Sequence, residues 1–271
     1  MAQPSPNGHG PQSSKVRLGG MALRNGLLVH GPEHWAVAVR TDEGDVVVGS
    51  GPKLRFQGRL SQMPGVRGVA RLIEAFAVVP MARRAVPQAR LPFEDPRVIG
   101  TMAGASLLSA LVRRTVPPGL RRETAVSVLG AAPAAVALTR SELAAYHGAE
   151  HKVIAAHEHD ADPRTVPKEH PRCGSTLVVP MTITGIAGNV TARSLLRVGG
   201  PLVGPAVALA AAAISVEMFV WSERHGDAPL ARAFRWPGIE IQRVVATREP
   251  TEPQLNVAES AMREILRLET P

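Results

Sequence analysis

The hydrophobic pattern after residue 97 consists of four long apolar segments. They cover residues 98–112, 124–138, 177–192 and 202–220. The last segment has Glu217 as its one charged residue and is about as long as a membrane-spanning helix. The first two are short for a full crossing, so the hairpin that they form is expected either to cross the bilayer or to dip into it. Alanine-rich helices buried in a protein core would give the same pattern.

Before residue 60 the pattern changes to short β-prone runs. Residues 35–40 and 45–48 flank a segment of four turn-forming residues, Thr41 to Gly44, which is typical of a hairpin. Residues 1–15 are rich in Pro, Gly, Ser and Asn, a composition that favours a disordered tail. We therefore predict a tail followed by a small β-rich unit over residues 16–60.

Two amphipathic segments flank the apolar part of the chain. Residues 66–86 place apolar side chains at helical spacing among arginines, which predicts a helix that lies in a membrane interface or packs on the β unit. Near the C terminus, Thr251 and Gln254 have the spacing of a capping box. The apolar stripe that follows consists of Leu255, Ala258, Met262, Ile265 and Leu266.

These patterns divide the rest of the chain into three regions. Residues 61–97 form an amphipathic, interfacial helical region, and residues 98–222 form a membrane-embedded helical domain with a metal-site loop at 140–175. Residues 223–271 form a cytoplasmic helical segment. The predicted fold class is mainly α: a multi-spanning membrane helical bundle with a small N-terminal β-containing unit.

Composition narrows the choice of partner. The net charge is +8, but aromatic residues make up only 3% of the chain and no nucleic-acid-binding motif is present. We therefore expect no nucleic acid and take the lipid bilayer, with its anionic headgroups, as the partner of the basic residues. The single cysteine excludes an internal disulfide. The predicted location is the inner membrane, with several passes and cytoplasmic termini.

The segment Tyr146 to Lys152 reads YHGAEHK and carries the candidate chemistry. Side chains four residues apart lie on one face of a helix, so His147 and His151 can bind one divalent metal ion, with zinc as the expected metal. Glu150 has the place of the general base in H-x-x-E-H metalloproteases. A helix end with solvated His and Glu side chains is the alternative.

Further metal-competent residues lie close by in the sequence. Glu158, His170 and Cys173 follow within 25 residues of the motif. If the apolar segments cross the membrane, Glu217 returns to the face that carries His147 and His151. The third ligand is thus left open between Glu217 and the His170–Cys173 turn, and Cys173 can equally be an inert thiol.

Several separate strings resemble one family, the YqhQ-like bacterial membrane proteins. They are GGMALRNG from Gly19, YHGAEHK, HPRCG from His170, ISVE ending at Glu217, and TREP from Thr247. The resemblance implies a membrane location and a metal site but no substrate. It places His147, Glu150, His151, Glu158, His170, Cys173 and Glu217 on motif positions. The opening motif departs from the family pattern at Met21 and Asn25, where the family carries Gln and Glu.

The leading hypothesis is a zinc-type, metal-dependent membrane hydrolase with its site at the cytoplasmic face and Glu150 as general base. Its unknown substrate is peptide or lipid, because the residues do not distinguish the two. The first alternative is a non-catalytic membrane scaffold with a structural metal or a hydrogen-bonded His/Glu cluster, in which Glu150 only orients a histidine. A metal transporter or sensor is the second, although the apolar segments contain little acidic lining for an ion path.

Overall fold

The computed structural model describes residues 15–55, 63, 66–139, 142–200 and 202–270. Most of the predicted N-terminal tail lies outside these residues. The chain begins with a four-stranded antiparallel sheet in the order β1-β2-β3-β4. Its strands are β1 Gly19–Leu23, β2 Gly26–His30, β3 His34–Arg40 and β4 Val46–Pro52. The predicted hairpin is confirmed, since Arg40 pairs with Val46 across the turn at Thr41 to Gly44.

Within the described ranges, eight α-helices follow the sheet. They are α1 Val66–Ala85, α2 Pro96–Thr115, α3 Leu120–Leu138, α4 Glu142–His159, α5 Val178–Val190, α6 Val203–Arg224, α7 Pro229–Ile241 and α8 Glu252–Glu269. Short π-helical segments continue α5 over Thr191–Leu195 and α7 over Gln242–Ala246. The main chain is thus mostly helical, as predicted.

Helices cover both faces of the sheet, because alternate side chains of β2 and β3 point in opposite directions. On one face, Leu27, Val29, Ala36 and Ala38 pack against α4 and α8. On the other, Leu28, Trp35, Val37 and Val39 pack against the C-terminal half of α1. Of the two arrangements predicted for residues 66–86, the structure therefore has the one in which the helix packs on the β unit.

The C-terminal helix belongs to the same core as the N-terminal sheet. The predicted capping box begins α8, where the Thr251 N–H donates to Oε1 of Gln254 at 2.9 Å. The predicted stripe from Leu255 to Ile265 is buried against β2, β3 and α4, and Leu266 packs beside it. The two ends of the chain together enclose α4.

The prediction of a multi-spanning bundle is wrong. Among the described residues, one helix, α6, is long and apolar enough to cross a membrane. Helix α5 with its π-helical continuation runs from Val178 to Leu195 and contains the charged Arg193. At about 1.5 Å per residue its length is at most roughly 27 Å, short of the ~30 Å hydrocarbon core. Helices α2 and α3 are interrupted by charge, with Arg113 and Arg114 ending α2 and Arg121 to Glu123 beginning α3. Apolar runs of about 15 residues thus form helices here without the length or composition of a span.

Candidate metal centre

Helix α4 is buried along most of its length and carries the motif. Every residue from Leu143 to Ala156 is buried except His147, which is half-buried. Two close approaches make this packing possible. A Cβ on Gly148 would lie 2.1 Å from the carbonyl oxygen of Arg248, and a Cβ on Gly20 would lie 2.6 Å from Oε1 of Glu150. The glycines of the YHGAEHK and GGMALRNG strings therefore admit the neighbouring backbone and the Glu150 carboxylate.

The two histidines of the motif are oriented by backbone carbonyls. His147 Nδ1 lies 2.8 Å from the Ala246 oxygen, and His151 Nδ1 lies 2.6 Å from the Lys168 oxygen. A carbonyl only accepts, so Nδ1 of each ring donates and Nε2 is the lone-pair nitrogen of the neutral ring. This is the arrangement of metal-binding histidines, whose second nitrogen donates to a carbonyl or carboxylate.

Cys173 completes the group. Its Sγ lies 3.3 Å from Nε2 of His147. His147, His151 and Cys173 each place one ligand atom within 4.8 Å of the other two, and these three residues are called the metal group below. His151 Nε2 is buried and has no hydrogen-bond partner within the described part of the chain. Two imidazole nitrogens and one sulfur suit zinc, and three protein ligands is the usual number in a catalytic zinc site. The residues therefore fit a zinc-type ion.

Burial sets the protonation of the group. It lowers the pKa of His151 to about 2, with His147 adding to the effect, so the ring is neutral and able to bind metal. Burial also raises the pKa of the Cys173 thiol. The pKa of Glu150 is raised to about 7, chiefly by burial, and nearby Cys173 raises it further while His147 lowers it.

His170 and Glu158 lie beside the metal group. The His170 ring centroid is 5.8 Å from that of His151. Its Nε2 lies 3.2 Å from Glu158 Oε2, and its Nδ1 accepts the Arg172 N–H. Glu158 also forms an ion pair with Arg172. Both His170 nitrogens thus have partners outside the group, and the metal-ligand role predicted for these two residues stays a prediction.

Glu217 lies in a different place. It lines a separate pocket with Met218, Trp221, Leu230 and Phe234. The structure therefore brings Cys173, and not Glu217, to the two histidines. Glu217 was expected near the histidines because several segments were predicted to cross the membrane, and the described helices do not provide those crossings.

Sequence reasoning missed the residues that hold the site together. Buried Gln242 accepts the His170 N–H at 2.7 Å and donates from Nε2 to the His170 carbonyl at 3.1 Å and to Ser175 Oγ at 2.9 Å. It thereby fixes the HPRCG turn. Lys168 donates from Nζ to Thr247 Oγ1 at 3.1 Å. The TREP string, which begins at Thr247, was the sequence signal for the contact with Lys168. No sequence signal pointed to Gln242.

The departures from the family pattern fall on two different kinds of position. Asn25 donates from Nδ2 to the carbonyls of Arg40 and Gln88, at 2.9 and 3.0 Å, and accepts the Arg90 N–H. It ties the turn between β1 and β2 to the segment after α1. Met21, by contrast, packs against the core on the α1 side of the sheet, facing away from Glu150.

We predict a direct coupling between Gly20 and Glu150. Gly20→Ala should destabilise the fold by roughly 1–3 kcal/mol, since overpacking a filled site costs about that much. In a Glu150→Ala background the added methyl group has space, so the cost should fall below about 0.5 kcal/mol. Urea unfolding of the four proteins measures the coupling free energy. Gly130→Ala, whose Cβ meets no atom within 4 Å, is the control and should have the same effect in both backgrounds. An equal cost of Gly20→Ala in both backgrounds would contradict the prediction.

Comparisons with known proteins give a family and no activity. The model of the family described as "Protein of unknown function (DUF1385)" matches residues 139–268, which include α4 and the whole metal group. A Bacillus subtilis (strain 168) protein, "Uncharacterized protein YqhQ", is 25% identical over 302 residues, covering 93% of this chain and 92% of the relative. No solved structure gives a significant match. The chain is therefore similar to YqhQ along most of its length, and its residues 139–268 match the DUF1385 family.

Proposed function

We propose that this protein is a zinc-type, metal-dependent hydrolase. The observation that carries the proposal is the orphaned, buried Nε2 of His151, which faces no protein partner among the described residues although its Nδ1 is bonded. A buried polar atom without a partner costs roughly 1–3 kcal/mol, and a ligand can offset that cost. His147 and Cys173 supply two further donor atoms within 4.8 Å. A bound metal ion would give this nitrogen a partner, whereas a cluster held by hydrogen bonds alone would leave it unpaired; the test with Glu150→Gln below separates an enzyme from a scaffold that binds metal.

In this proposal the three residues of the metal group hold the ion. The carbonyls of Ala246 and Lys168 keep both imidazoles in the tautomer that presents Nε2. A zinc ion there acts as a Lewis acid toward a carbonyl or phosphoryl group. Cys173 would bind the ion as a thiolate, and metal binding would therefore release the proton of its thiol.

Glu150 is the proposed general base. Its side chain lies against β1, lines the same cavity as the metal group, and interacts electrostatically with His147 and Cys173. It would take a proton from a water molecule as the water oxygen bonds to the carbonyl or phosphoryl centre, and would deliver that proton to the leaving group as its bond to the same centre breaks. The Gly20 backbone limits where the carboxylate can move, which keeps the base oriented for this transfer.

We predict about one zinc ion per chain in protein purified without chelator. His147→Ala, His151→Ala and Cys173→Ser should each lower the zinc content at least about tenfold, because loss of a ligand leaves only two donors. Glu217→Gln should leave the content unchanged, since Glu217 lies in another pocket. Elemental analysis with thermal unfolding of each variant measures the effect. Equal metal content in the parent protein and the His151→Ala variant would contradict the site.

Glu150→Gln separates an enzyme from a scaffold. Zinc content and melting temperature should stay close to those of the parent protein, because the amide has the same shape. Hydrolysis of p-nitrophenyl esters by the zinc-loaded protein should fall by about 10²-fold or more. Undiminished hydrolysis in the variant would remove Glu150 from the chemistry, and absence of zinc-dependent hydrolysis in the parent with these and phosphate esters would favour a scaffold.

We further propose that the protein attaches to a lipid bilayer through α2, α3, α5 and α6. Neighbouring members of this set pack against one another. Their outer sides expose apolar side chains: Met102, Leu107, Leu108, Leu111, Val128, Ile183, Leu209 and Ile214. So many exposed apolar groups on one set of helices mark an interaction surface. Arginines at the ends of α2 and α3 suit anionic headgroups.

Labelling should detect this attachment. In a Cys173→Ser background, Leu107→Cys should react with a membrane-impermeant maleimide at least about tenfold more slowly after reconstitution into phosphatidylcholine–phosphatidylglycerol vesicles, because the bilayer excludes water and charged reagents. Leu107 is 73% exposed in the protein alone, and Val48, at 42%, provides the control on β4. Val48→Cys should react at an unchanged rate. Equal labelling of both positions in vesicles would contradict the proposed surface.

A further inference from the structure

A cavity of about 590 Å³ adjoins the metal group. The size lies within the range of small-molecule sites. The donor atoms of His147, His151 and Cys173 are clustered within 4.8 Å, so they occupy one part of the lining. The polar part of the lining also includes Glu150, His170, Arg172 and Glu223. Elsewhere the walls are apolar and include Leu18, Ala22, Val216, Phe219 and Val220. The cavity thus combines a polar region around the metal group with an extended apolar wall.

One helix separates this cavity from the outer apolar surface. Val216, Phe219 and Val220 of α6 line the cavity, whereas Ile214, Met218 and Trp221 of the same helix are exposed. Ala22 of β1 and the preceding Leu18 form another apolar wall. A fully polar ligand would find partners at the polar region but none along these apolar walls. A ligand with one polar end and an apolar chain would match both parts of the lining.

We infer that the substrate is a chain-bearing amphiphile, with its hydrolysable carbonyl or phosphoryl group at the metal group and its apolar chain between β1 and α6. The position of the polar group rests on the proposed function. The binding of the chain does not, because the apolar walls exist without a metal ion. The two ideas can therefore be tested separately in one protein.

Cys173 is the only cysteine of the chain and lines the cavity, so it can report on the bound chain. The reagents are N-methyl-, N-butyl- and N-octylmaleimide, applied to chelator-treated protein in one detergent at fixed concentration. Burial of each CH₂ group favours binding by about fourfold. The rate constant for Cys173 alkylation, followed by intact-protein mass spectrometry, should rise at least about tenfold from the methyl to the octyl reagent.

Two substitutions on α6 distinguish the cavity from the detergent micelle. Val216→Trp fills the cavity and should abolish the rise with chain length. Ile214→Trp places the same side chain on the exposed side of the helix and should preserve it. Ala22→Phe fills the cavity from the β1 wall and replaces Val216→Trp if that variant does not fold by circular dichroism. Equal rates for all reagents, or an unchanged rise in the cavity-filling variants, would overturn the inference.

Repeating the alkylation with added zinc tests the metal site separately from the apolar cavity. Zinc should slow alkylation of Cys173 by every reagent at least about tenfold, since a bound thiolate is a poorer nucleophile. A chain-length preference without zinc protection would support the amphiphile cavity and count against the metal group. Zinc protection without a chain-length preference would retain the metal group and overturn the amphiphile.

Discussion

The close packing of α4 between β1 and the backbone at Arg248 is the constraint on which the site depends. Gly148 lets the Arg248 carbonyl approach α4 so closely that the Arg248 N–H also donates to the Ala144 carbonyl at 2.9 Å. Gly20 of β1 likewise leaves space for the Glu150 carboxylate of α4. Without these two approaches α4 would be held away from its neighbours. The motif residues would then lie in water, where imidazoles and carboxylates need no fixed partners.

Because α4 is buried, each of its polar side chains must find a partner, and the choice of partner defines the site. Lys152 forms an ion pair with Glu249 of the TREP string. His147 and His151 direct Nδ1 to carbonyls that belong to the loops on either side. The Cys173 thiol lies beside Nε2 of His147, and Nε2 of His151, which has no partner among the described residues, lies within 4.8 Å of both. Protein contacts thus orient all three side chains, and their arrangement does not require the ion.

Local patterns were sufficient to predict the helices and one hairpin, because each depends on residues close in sequence. The apolar runs lie in α2, α3, α5 and α6, and the turn at Thr41 to Gly44 joins β3 and β4. Hydropathy alone overcounted the membrane spans, because it registers an apolar run and not the whole helix that contains the run. Helix α5 is too short to cross, and α2 and α3 carry charged residues at their ends. The choice of Cys173 over Glu217, and the role of Gln242, depend on contacts between distant segments. Neither can be deduced from spacing along the chain.

The two departures from the family pattern have different consequences because they lie in different surroundings. Asn25 donates two hydrogen bonds to backbone carbonyls, and an ionised Glu in the same place would have no proton to donate. Asn25 therefore has a structural role in this chain, and its identity bears on the hairpin and not on the catalytic group. Met21 pairs with Leu28 and packs against the core on the α1 side of the sheet, so its side chain points away from Glu150 and the metal group. The departure at Met21 therefore places an apolar side chain in that core and leaves the metal group and Glu150 unchanged.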